Sequence, residues 1–294
     1  MVTFLVISRE DEFLQDNHIY IPPQSPEEVL VWPQPLPPAP AGETPAPAVG
    51  SLGPILIYFS AVVILLGVVL SVVPVSALRL LLRVLFAMLF SWGIFIIFIF
   101  WVPPIAAIPI AVAVGFAWFF LLRVWLHNLV LMLAIVSLGA VFGRLITPWT
   151  AIILVLALAV YDFLAVRFGY MIWITKKLSE SSILPAFIIP RYLSGWISSL
   201  KQSDFNKLVE GKSFERDYSI LGGGDVGFPL LLVSSVYFGY GLTEAILIAG
   251  FSLIGLVCAY WIQAVFLKGR PMPALPPIAV LSLIALFVVR FYFV

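Results

Sequence analysis

The sequence predicts an all-α, polytopic membrane protein, and three observations carry that prediction. Hydrophobic residues make up 62% of the 294-residue chain and charged residues only 11%. A soluble domain carries roughly 25% charged residues, so this chain cannot cover a water-soluble globule of its size. From Leu52 onward the apolar residues fall into successive runs, each near the ~20 residues that a spanning helix needs. In hydrocarbon every backbone amide must be paired within its own segment, which makes helix the expected form of each run.

The first 50 residues stand apart. They hold seven acids (Glu10, Asp11, Glu12, Asp16, Glu27, Glu28 and Glu43) and one base, Arg9. Ten prolines lie between Pro22 and Pro47. Proline fixes φ and removes a donor, so this stretch reads as an extended stalk or linker and not as a membrane helix. Met1–Ser8 is apolar, but it is too short for a secretory signal peptide and lacks the basic n-region of one. Eight apolar runs follow, at 54–75, 79–101, 104–124, 128–146, 148–174, 224–241, 243–267 and 274–293. Pro103-Pro104 divides the second from the third, and Arg144 closes the fourth. The expected organisation is an acidic, proline-rich extracytoplasmic segment (1–50), N-terminal helices (51–174), a cytoplasmic loop (175–223) and C-terminal helices (224–294).

Orientation follows from the basic residues. With residues 1–50 outside, thirteen lysines and arginines fall in inside loops, and only Arg9, Arg144 and Arg290 fall outside. The positive-inside rule then places both termini outside and the loop 175–223 in the cytoplasm, in an integral protein of the cell membrane. Between Lys176 and Asp217 that loop carries seven bases and five acids. It also contains Ile183-Leu184-Pro185-Ala186-Phe187-Ile188-Ile189-Pro190, an apolar, strand-like patch expected to pack on, or dip into, the membrane face. A formal charge of +1 with no basic patch argues against nucleic acid as a partner. The single cysteine, Cys258, cannot form an intrachain disulfide and reads as a small buried hydrophobe.

Two acids, Asp162 and Asp225, lie within the runs, away from any obvious loop. Glu244 sits at a helix entrance, where a capping or solvated role is expected. A carboxylate in a membrane helix costs about 2.5–3.5 kcal/mol on insertion scales, which makes it a functional-site hypothesis by default. No base in the runs is placed to neutralise either aspartate, and Arg167 lies five residues beyond Asp162 toward the loop. Two such carboxylates facing each other cannot both ionise, so they share one proton. The ionised member can then take a proton from water while the protonated member polarises a peptide carbonyl, with no metal and no covalent intermediate. His18 and His127, the only histidines, belong to no ligand cluster. His127 beside Asn128, at a predicted helix end, reads as a cap or interface residue and not as a catalytic base. Gly222-Gly223-Gly224 before Asp225 suggests exposed, flexible backbone that lets an extended substrate approach, and it puts Asp225 at a helix N-terminus. Tyr161 precedes Asp162, where its hydroxyl can bond near the site or gate it. The prolines of Pro273-Ala274-Leu275-Pro276-Pro277 leave carbonyls unpaired, to cradle a substrate or position Asp225.

Tyr161-Asp162, Gly222-Gly223-Gly224-Asp225 and Pro273-Ala274-Leu275, in that order and with a long loop between the first two, resemble the GxGD intramembrane aspartyl proteases. Within that family they are most similar to presenilins and their archaeal homologues. Pro229 in Asp225-Val226-Gly227-Phe228-Pro229 matches the proline after the family's second aspartate. The resemblance covers residues 54–294. It implies a presenilin-like bundle of about eight to nine transmembrane helices, and hydrolysis of peptide bonds in single-pass membrane proteins. Asp162 and Asp225 would be the catalytic pair, with Tyr161, Gly222, Gly223, Gly224, Pro273, Ala274 and Leu275 supporting the site or the substrate. It implies no cofactor. The expected partners are the transmembrane helix of a substrate and the lipid bilayer, with no accessory subunit required and an oligomer allowed. The family normally has nine spans and the runs number eight, so the acidic segment stands where a first helix is expected. With glycine at the variable GxGD position, Gly223, the loop is expected to be unusually flexible. The orientation derived above is that of presenilins and opposite to that of signal peptide peptidases. A proton-coupled secondary transporter is the alternative use of two intramembrane aspartates, but it predicts an internal repeat that the sequence lacks. A binder of transmembrane helices would make the aspartates dispensable.

Overall fold

The computed structural model describes residues 52–170, 185–198, 218–266 and 272–292. The segment 1–50 and the remainder of the loop 175–223 lie outside the described residues. The described chain forms α1 (Leu52–Val72), α2 (Val75–Ile99), α3 (Pro104–Phe120), α4 (Val124–Leu145) and α5 (Pro148–Arg167). After these come β1 (Ala186–Pro190), β2 (Tyr218–Gly222), α6 (Gly223–Gly239), α7 (Leu242–Val265) and α8 (Leu275–Tyr292). Each apolar run thus becomes one helix, and the strand-like patch becomes β1 of a two-stranded antiparallel sheet. Helices α2, α4, α5 and α7 are each long and apolar enough to cross a membrane. The chain is an integral, multi-pass membrane protein.

Helix ends depart from the runs for local reasons. The run 148–174 is cut at Arg167, where Gly169 adopts φ 76° and its N–H bonds back to Val166 O at 3.2 Å. A glycine in the left-handed region just past the last turn is a usual helix stop. At the other end of α5, Thr147 accepts a 3.3 Å hydrogen bond from the Thr150 N–H, and Pro148 occupies the first helical position. Helix α2 begins at Val75, so Arg79 and Arg83 stand inside it and not at its border. The Arg83 guanidinium donates to the Phe119 carbonyl at the end of α3 and lies 4.6 Å above the Phe119 ring. A helix C-terminus supplies the acceptors that such a cation needs. Glu244 lies in the first turn of α7, with its carboxylate folded back toward Gly241, whose N–H bonds instead to Val236 O at 3.2 Å.

The helices pack in two groups. Leu78, Leu82, Phe90, Trp118, Val124 and Val130 of α2, α3 and α4 form one core, which also takes in Ala186 and Ile188 of β1. The patch therefore packs on the helices. The other core joins α5, α6, α7 and α8 through Ile152, Val155, Leu232, Val236, Ile248 and Leu286. Ser252 and Ser282 are bonded to each other at 2.8 Å across α7 and α8. Between the groups, α4 lies along α6. Gly139 and Gly143 face Leu230 and Ser234 so closely that a Cβ on Gly143 would sit 2.4 Å from Ser234 Cβ. Small residues four apart let helix backbones approach where lipid offers no hydrophobic drive to association. Cys258 is free and only half-buried on α7.

Candidate active site

Asp162 lies near the C-terminal end of α5 and is 8% exposed. Its Oδ2 accepts a 3.3 Å hydrogen bond from the Leu275 backbone N–H, the first amide of α8, and the Ala274 N–H contributes as well. The first amides of a helix have no partner within it, so α8 offers free donors where Asp162 needs them. Pro273-Ala274-Leu275 thus meets Asp162 through its amides. The expectation named its carbonyls, as a cradle for a substrate or as support for Asp225; the contact to Asp162 is made by its amides.

Asp225 lies in the first turn of α6 and is half-buried. Its carboxylate turns back on the start of its own helix, where the Gly222 N–H donates to it. That is the return bond of a capping box, made by an aspartate. Each carboxylate therefore takes its donors from a helix N-terminus, one its own and the other borrowed. Helices α5, α6 and α8 pack against one another, and Asp162 lies within Coulombic range of Asp225.

The glycines before Asp225 do not lie in a loop. Gly222 ends β2, and Gly223 and Gly224 open α6. None of the three has a positive φ. What they need is space: a Cβ on Gly223 would lie 2.8 Å from Pro185 O, and one on Gly222 would lie 2.9 Å from Asp225 Oδ2. The Gly223 N–H donates to Pro185 O at 2.9 Å and extends the pairing of β1 with β2 into the helix. Tyr161 is half-buried, in electrostatic reach of Asp162 and of Tyr170. The Tyr170 hydroxyl packs against α1 at Gly67, where an added Cβ would lie 2.9 Å from it.

The structure thus gathers Asp162, Asp225, Gly222, Gly223, Ala274 and Leu275, with Tyr161 at the border. Sequence reasoning missed the part played by α4. The side chains of His127 and Asn128 bond to the backbone of β1, at Ala186 and Ile188. His127, expected as a cap or interface residue, is buried one turn inside α4, where Arg123 holds the cap position, and these backbone partners were not legible.

The family model for signal-peptide peptidase, presenilin aspartyl protease matches residues 40–294. Among solved structures, a presenilin family intramembrane aspartate protease crystallised in space group C222 is similar in fold, with a TM-score of 0.55. The two chains are 20% identical over 84% of this chain and 87% of that one. No curated protein matches the chain.

Proposed function

Since the chain belongs to the signal-peptide peptidase, presenilin aspartyl protease family, we propose that it hydrolyses peptide bonds of single-pass membrane proteins inside the bilayer, using water activated between Asp162 and Asp225. The observation that carries this is the pairing of two carboxylates on packed helices, each with its donors supplied by a helix N-terminus. Of the two, the ionised aspartate takes a proton from water as the oxygen attacks the peptide carbon. The protonated one donates to the carbonyl oxygen. Collapse of the tetrahedral intermediate then moves a proton to the leaving amine. Atoms balance with water as the only co-substrate.

The sheet supports a place for the substrate. Asn128 holds the N–H and C=O of Ile188 on the far side of β1. Ile188 and Ile220 are therefore a non-hydrogen-bonded pair, and the Ile220 backbone groups point away from β1. Among the described residues β2 pairs with no other strand. An unwound substrate segment added there as a third strand would run toward Asp225, which follows β2 by one helical turn. In this reading the sheet and both aspartates face the cytoplasm, and a single chain suffices.

The test uses the purified full chain in lipid vesicles with a single-span substrate. Cleavage is expected, together with inhibition by a hydroxyl-bearing mimic of the tetrahedral intermediate. No cleavage, or cleavage that the mimic leaves untouched, overturns the proposal. Activity against pH should be bell-shaped, because the reaction needs one proton on the pair: it falls when both carboxyls are protonated and again when both are ionised. The limbs belong to the pair and not to either residue. A rate that stays flat from acid to neutral pH would contradict a shared proton.

A further inference from the structure

We propose that His127 and Asn128, on α4, are positioning residues for Asp225: they clamp β1 in a single register, and the sheet passes that register to the second aspartate. The inference rests on the aspartyl-protease reading above.

The contacts form a continuous chain. Trp118 of α3 is fully buried, and its Nε1–H donates to His127 Nδ1 at 3.2 Å. An indole can only donate, so Nδ1 is the acceptor and the imidazole proton lies on Nε2. That proton reaches the Ala186 carbonyl at 3.0 Å. One residue further along α4, Asn128 Nδ2–H donates to Ile188 O at 2.6 Å, and Asn128 Oδ1 accepts from the Ile188 N–H at 3.0 Å. The primary amide thereby satisfies both backbone groups of Ile188, as a residue on a neighbouring strand would. His127, Asn128, Ala186 and Ile188 are all buried.

This clasp resists slippage of β1. A slip of β1 by one residue would turn Ala186 and Ile188 out of the core. A slip by two that brings Pro190 opposite Asn128 would leave Oδ1 without a donor, since proline has no N–H. From β1 the register passes to β2 through the hydrogen-bonded pairs Phe187–Leu221 and Ile189–Ser219, and to α6 through Pro185 O and the Gly223 N–H. The Gly222 N–H then holds the Asp225 carboxylate. Asn128 also closes the outer edge of β1, so the sheet is left with the β2 edge for an incoming strand. An ordinary buried contact would affect stability alone. A register clamp affects where the substrate is cut.

The test compares the full chain with Asn128→Ala, Asn128→Asp, His127→Leu and His127→Gln in vesicles, at a temperature where thermal unfolding shows every variant folded. Expected is a fall in kcat of about 10- to 100-fold for Asn128→Ala and His127→Leu, the size of loss that a misplacement near 1 Å causes. Mass spectrometry of the products should show cleavage spread to neighbouring bonds. His127→Gln, which keeps one acceptor and one donor, should restore most of the rate. Unchanged rates and cleavage positions, or a loss that vanishes once the folded fractions are equal, would overturn the proposal. If Asn128→Ala does not fold, Asn128→Asp serves, since it keeps the acceptor but sets an oxygen against Ile188 O. Hydrogen exchange of the β1 and β2 amides judges the clasp separately from catalysis. Exchange as slow in Asn128→Asp as in the intact chain overturns the clasp. An intact chain that cuts nothing overturns the protease reading, and with it the clasp's catalytic purpose.

Discussion

Asp225→Asn and Asp162→Asn should each cut a single-span substrate about a thousandfold or more slowly than the intact chain, the scale on which a positioned acid or base acts. Asparagine keeps the shape of aspartate and an oxygen that accepts from Gly222 or Leu275, so the hydrogen bonds that hold each side chain survive. What it cannot do is carry the proton that the pair shares. Neither variant should be less stable to heat. A carboxylate at a buried membrane position is costly, and its neutral isostere removes that cost. Loss of activity with equal or higher thermal stability in detergent separates a catalytic role from a structural one, since a structural ion would give the opposite pairing. Cleavage that persists in either variant would exclude the two-aspartate mechanism.

The bundle and the two aspartates were legible because each signal is local. Twenty apolar residues in a row announce a helix wherever they fall, and an acid among them is conspicuous without knowledge of its neighbours. Borders were less legible where a charge stands inside a helix. Arg79 and Arg83 look like a loop border until the end of α3 is seen to accept from Arg83. The glycines show a different gap. A run of three suggests freedom, but the structure uses them for closeness to Pro185 O and to the Asp225 carboxylate. The Pro-Ala-Leu segment likewise suggests unpaired carbonyls, although its amides make the contact. Asp162 lies 113 residues from Leu275, and Asn128 lies 60 from Ile188. No periodicity reports a bond of that span. One signal was present and went unused: Gly139 and Gly143 stand four apart in an apolar helix, the spacing that marks a close helix–helix contact.

That contact gives the other large effect. Gly143→Leu should destabilise the protein by about 3 kcal/mol or more, the upper end for an overpacked core. Its Cβ alone would lie 2.4 Å from Ser234 Cβ and 3.0 Å from the backbone of Ser234 and Ser235, which a rotamer change cannot relieve. The helices must move apart, which on the usual scaling lowers Tm by roughly 10 °C. Gly139→Ala should be far milder, because its Cβ would meet the Leu230 side chain at 3.1 Å, and that side chain can turn away. Activity should fall further in Gly143→Leu than the folded fraction explains. Ser234 lies about two and a half turns from Asp225 on the same helix, and α6 cannot shift from α4 without moving Asp225 relative to Asp162, which α5 and α8 hold. Thermal unfolding and cleavage rates of the three proteins, compared at a temperature where all are folded, give the answer. A Gly143→Leu chain that unfolds at the intact protein's Tm and cuts at its rate would mean that α4 and α6 are free to separate, and that the distance between the aspartates is set elsewhere.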